Sequence, residues 1–148
     1  MKRKLHALSG SVALLTIACF WTSTALVELF GTHAQIAQVK IAILYGMALL
    51  IPAMATAGAT GAALGKGWRL PVVAAKSGRM KLIAANGLLI LLPSAVFLAI
   101  RANAGQFDTL FYAVQALELL AGATNITLLT LNLRAGLALH RRRIARAA

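Results

Sequence analysis

Four long apolar runs, separated by short polar or basic segments, organise this chain. They extend from about Leu8 to Phe30, Ile41 to Leu64, Leu82 to Ile100 and Leu110 to Leu133. Each is close to the roughly 20 residues that a helix needs to cross about 30 Å of hydrocarbon. A membrane barrel would show many alternating segments of about ten residues, whereas these runs are continuous. A helix in lipid also satisfies its own backbone polar groups. The pattern predicts an all-α integral membrane bundle of four transmembrane helices, over about 8–30, 41–64, 82–100 and 110–133. It is a single domain over 1–148, with a basic connecting loop at 65–81 and a basic carboxy-terminal tail at 134–148.

Composition agrees, since 60% of the 148 residues are hydrophobic and only 12% are charged. A soluble domain of this length needs a polar surface that so few polar residues could not supply. The net charge of +12 raises nucleic acid as a partner, but the distribution of the charge argues otherwise. Of the 15 Lys and Arg residues, all except Lys40 and Arg101 fall in three clusters between the apolar runs. These are Lys2, Arg3 and Lys4; Lys66, Arg69, Lys76, Arg79 and Lys81; and Arg134, Arg141, Arg142, Arg143 and Arg146. Lys and Arg are retained on the cytoplasmic side of membrane helices and pair with anionic lipid headgroups. All the short loops agree on one topology, with both termini in the cytoplasm. The partners expected are therefore the lipid bilayer and its anionic headgroups, with no nucleic acid. Phe30, Phe107, Phe111 and Tyr112 would lie near the outer interface and Trp68 near the inner one.

The basic start, the apolar run and the small residues Ser23 and Ala25 resemble a cleavable signal peptide. The run continues through Leu26, Val27, Leu29 and Phe30, beyond the roughly 7–15 residues of a signal core, so the first helix is expected to be retained. The lone cysteine, Cys19, permits no intrachain disulfide and no paired-cysteine metal motif.

The clearest candidate chemistry is on the fourth helix. Asp108, Phe111, Gln115, Glu118, Gly122, Asn125, Leu129 and Asn132 follow steps of three and four and therefore share one face. A carboxylate and several amides turned toward lipid would be costly, so this face is expected to meet the bundle or a partner. Glu118, about 12 Å inside the outer end of its helix, is the first functional candidate. Two readings stand side by side for it. It is a structural bond to another helix, for example to Tyr45 or the Thr22, Ser23, Thr24 cluster, or it is a carboxyl that loads and releases a proton. Gln115, Asn125, Asn132 and Tyr45 complete this candidate intramembrane polar site.

Glu28 and Lys40 flank the first hairpin and are expected to pair across it at the outer surface. Gly58, Gly61, Gly65 and Gly122 are candidate packing positions, because small residues let two helix backbones approach closely. Pro52 and Pro93 are positioned to kink their helices, and Asn86 lies at a depth where it could bridge to Asn132. His6, His33 and His140 fall in tails or turns, which argues against bis-histidine haem within the bundle. No cofactor, metal site or catalytic residue is predicted.

The stretches Trp21 to Gly31 (WTSTALVELFG), Ile83 to Leu98 (IAANGLLILLPSAVFL) and Phe107 to Asn132 (FDTLFYAVQALELLAGATNITLLTLN) resemble a family of small bacterial four-helix inner-membrane proteins. The resemblance implies a multi-pass inner-membrane location and brings no reaction, cofactor or ligand. The leading functional expectation is a non-enzymatic accessory or assembly subunit, packing on itself or on another membrane protein through its glycine-rich and polar faces. One alternative is a small transporter or proton-coupled carrier using the intramembrane carboxylate. Another is a redox subunit associated with haem or quinone.

Overall fold

The computed structural model describes residues 2–67 and 71–145. Trp68, Arg69 and Arg146, assigned to the inner side from sequence, lie outside the described residues, as do the side chains of His140, Arg141, Arg142 and Arg143. The described residues form four helices and no strand: α1 Lys2–Phe30, α2 His33–Gly65, α3 Pro71–Asn103 and α4 Thr109–Ala145. All four are long and apolar enough to cross a membrane, consistent with a multi-pass membrane protein. Consecutive helices run antiparallel. His6 near the start of α1 reaches Ala57 and Thr60 near the end of α2, and Asn132 late in α4 reaches Lys76 early in α3.

The helices extend beyond the apolar runs, and the reasons are local. α2 starts at His33 rather than near Ile41, because Thr32 and Gln35 form a capping box. The Thr32 hydroxyl accepts the Gln35 N–H at 3.3 Å while the Gln35 side chain accepts the Thr32 N–H at 2.8 Å. Two of the otherwise orphaned donors at a helix start are satisfied in this way. α3 starts at Pro71, where a missing N–H is harmless, so much of the segment read as a loop is helix. α4 continues past the apolar run into the basic tail.

Near its middle α3 widens into a π-helical turn over Gly87–Leu91, where the Leu92 N–H donates to the carbonyl of Gly87. Pro93 follows directly. A proline ring crowds the carbonyl four residues before it, and a wider turn relieves that crowding while keeping the helix continuous. α3 closes with Gly105 in the left-handed region at φ +69°. There Gly105 donates to Ala102 and Gln106 to Arg101, which satisfies two terminal carbonyls and reverses the chain toward α4.

Two apolar clusters hold the bundle. At one end Ile36, Leu98, Ala102 and Phe111 join α2, α3 and α4, with Phe107 set edge-on to Phe111. In the other half Ile17, Ile83 and Leu129 join α1, α3 and α4. Much of the remaining apolar surface is exposed, including Leu15, Leu29, Leu89 and Leu120, as expected where lipid is the solvent.

Candidate functional site

The three-and-four spacing on α4 turns one face into the bundle. Phe111, Gln115, Gly122, Asn125, Leu129 and Asn132 are all buried, with Glu118 on the same side. The polar members meet other helices at three levels.

At the level nearest the α3–α4 turn, Lys40 Nζ donates to Glu118 Oε2 at 2.5 Å. The Lys40 side chain is 1% exposed and that of Glu118 12% exposed. Gln115, one turn before Glu118, donates from Nε2 to the same carboxylate oxygen at 3.2 Å. The expected partners therefore change. Lys40 pairs with Glu118 and not with Glu28, because the capping box begins α2 seven residues before Lys40 and carries the ammonium about 10 Å along the helix. Tyr45 is not a partner of Glu118, since its side chain is 78% exposed on the outside of α2. Glu28 stays beside the pair with Oε1 buried and unpartnered among the described residues, and Gln115 Oε1 is in the same condition.

At mid-bundle, Asn86 Nδ2 donates to Asn125 Oδ1 at 2.8 Å and to the Ala121 carbonyl at 2.9 Å, and Asn125 donates onward to the Ile83 carbonyl at 3.4 Å. Asn86 thus meets Asn125 instead of Asn132. Asn132 sits nearly two turns further along α4, where it donates to the Lys76 carbonyl at 3.4 Å and accepts from Arg79 at 3.5 Å. The α3 end of the polar ladder was therefore offset by about two turns in the sequence reading.

α1 joins through Trp21, whose indole N–H donates to the Leu119 carbonyl at 2.9 Å. Gly122 makes this approach possible, since a Cβ there would lie 3.0 Å from Trp21 Cδ1. Gly61 admits the His6 ring and Gly65 faces Val73, whereas Gly58 has open space where a side chain would be. The predicted glycines thus divide into three that pack within the chain and one that does not. A cavity of about 60 Å³ opens between the helices, lined by Trp21, Thr24, Met47, Leu91, Glu118 and Gly122 among others.

Lys40 is the residue of the site that the sequence reading left out of it, and the missed signal was Thr32-His33-Ala34-Gln35, a capping-box spacing. His6 and His33, read as tail and turn residues, are helical. His6 Nδ1 lies 3.1 Å from the Ala57 carbonyl, and His33 stacks on Phe107 with ring centroids 4.1 Å apart.

Beyond the helices, Asp108 caps α4 by accepting the Phe111 N–H at 3.0 Å and pairs with Arg101. That backbone bond, helped by the Arg101 guanidinium, holds the Asp108 carboxyl below the usual aspartate range. Among the described residues no group of three or more His, Cys, Asp or Glu side chains is arranged to hold a metal ion. No protein-family model, curated protein or solved structure matches this chain.

Proposed function

We propose that this chain is a small multi-pass protein of a bacterial-type inner membrane, working as a non-enzymatic accessory or assembly subunit. The observation that carries this reading is an open groove of about 240 Å³ between α1 and α2, lined by Leu8, Ser9, Val12, Ala48, Pro52 and Ala53 among others. Small side chains lower the groove and apolar ones wall it, which suits the close approach of another helix. The polar face of α4 is by contrast occupied by partners within the chain, as interhelical bonding rather than as a surface for others.

Both termini belong in the cytoplasm on this reading. It is supported by charge, since Lys2, Arg3, Lys4, Lys66, Lys76, Arg79, Lys81 and Arg134 cluster at one end of the bundle. The three acidic residues, Glu28, Asp108 and Glu118, all belong to the other half. Cations held on the cytoplasmic side fit that asymmetry and bring anionic headgroups to the same end. The partner in the groove is a helix of another membrane protein or of a second copy.

A photo-crosslinking side chain at Ala48, in native membranes, tests the proposal against the same side chain at the exposed Leu89 on α3. A discrete protein adduct from Ala48 and none from Leu89 is expected. Lipid adducts alone from both positions would overturn it.

A further inference from the structure

The charges at the Lys40 cluster do not balance. One ammonium, on Lys40 at 1% exposure, serves two carboxylates: Glu118 from α4 is bonded to it, and Glu28 from α1 lies near enough to feel its charge. α1 packs on both α2 and α4, and the other groups acting on Glu28 from these helices are Lys40, Glu118 and His33. The remaining charges in this half, Arg101 and Asp108, neutralise each other in their own ion pair. A net negative charge is left beside the buried Oε1 of the half-buried Glu28, where an unpaired ionised carboxylate is disfavoured.

The hydrogen bonds show the same deficit independently. Lys40 and Gln115 both donate to Glu118 Oε2. Glu28 Oε1 and the carbonyl oxygen of Gln115, a residue 3% exposed, are buried acceptors with no donor among the described residues. The His33 ring is stacked on Phe107 and bonds to neither carboxylate, so by its bonded groups the cluster is one positive charge short and lacks donors. A proton supplies both, since a protonated carboxyl is neutral and carries an O–H.

We propose that Glu28, Lys40, Glu118 and Gln115 form a proton-binding site that holds one exchangeable proton, carried by Glu28 while Glu118 keeps the Lys40 ammonium. Uptake converts the Glu28 carboxylate and one proton into a neutral carboxyl. Release gives Lys40 two competing carboxylates, on α1 and α4, so the packing of these helices becomes linked to proton binding. The cavity beside Glu118 has room for water, which needs roughly 10–15 Å³, and so offers the proton a place to move within the bundle. This inference depends on the ion-pair geometry and not on the accessory role, so each stands or falls by its own experiment.

With three acidic side chains in the chain, the protonated-carboxyl C=O stretch in the infrared spectrum is readily assigned. The full chain in detergent micelles at pH 7 is expected to show one such group, shifting in D2O and responding to carbon-13 labelling of glutamate but not of aspartate. Glu28→Gln should remove the band. Glu118→Gln should also remove it, because Glu28 then inherits Lys40, and Lys40→Met should raise the count to two. A wild-type chain without a protonated glutamate, or a band that survives Glu28→Gln, would overturn the proposal. The wild-type spectrum decides even if a variant fails to fold.

Discussion

Replacing Lys40 by Met separates the ion pair from the apolar packing around it, because Met keeps most of the stem and loses the ammonium. Glu118, at 12% exposure, is then left without its counter-ion. Removing one partner of a buried pair typically costs about 3–5 kcal/mol. The structure permits a more specific figure, since the only other ammonium or guanidinium described in this half of the bundle, on Arg101, is engaged with Asp108. The stranded carboxylate escapes by taking a proton from solution. That step costs about 1.4 kcal/mol for each pH unit above the free-glutamate value near 4.3, or roughly 3.7 kcal/mol at pH 7 and about 1 kcal/mol at pH 5. Lys40→Met should therefore destabilise the bundle by about 4 kcal/mol at pH 7 and recover most of that loss by pH 5. The sign follows from protonation of the folded variant, which is favoured as pH falls. The double variant Lys40→Met, Glu118→Leu removes both members of the pair and should lie near the wild type, as buried pairs replaced by apolar residues often do. Unfolding of purified protein by sodium dodecyl sulfate in mixed micelles, at both pH values, measures all three differences. A Lys40→Met cost under about 1 kcal/mol at pH 7, or one unchanged at pH 5, would refute the claim that this pair is desolvated.

Gly122→Val should destabilise the bundle by about 1–3 kcal/mol through overpacking and, in a Trp68→Phe background, shift the emission of Trp21 as the indole leaves its 2.9 Å bond to Leu119. Unchanged emission would show that α1 does not rest on this glycine. Asn125→Leu removes the acceptor of Asn86 and should cost about 0.5–2 kcal/mol in the same unfolding assay, and a neutral result would deny the mid-bundle bond any role in stability. The Phe111 amide resonance should follow Asp108 on acidification with a midpoint below the ordinary aspartate value near 3.9. Because that carboxyl is held low, its stabilisation of the α4 start is present above the unfolded value and lost as pH falls through the folded one; a midpoint at or above 3.9 would contradict the cap. In a Cys19→Ser background, a cysteine at the exposed Ser77 should react with an impermeant reagent only after the cells are opened, and labelling of intact cells would reverse the topology.

The sequence by itself determined the number and kind of elements. Burying a continuous apolar run in lipid requires backbone polar groups to be bonded within the same segment, so composition and run length suffice to give four helices. It also determined which face of α4 turns inward, because polar groups at three-and-four spacing are costly against lipid wherever the neighbours lie. Tertiary structure decided who meets whom. Partner choice depends on axial register, and a helix that starts two turns early carries its side chains about 10 Å along the axis. The Thr32–Gln35 cap did this to Lys40, exchanging Glu28 for Glu118, and Asn86 came to Asn125 rather than Asn132. Apolar periodicity limits which faces are buried but leaves sliding along the axis nearly free. Caps, turns and the few interhelical polar bonds remove that freedom, and their effect appears only when the helices are packed together.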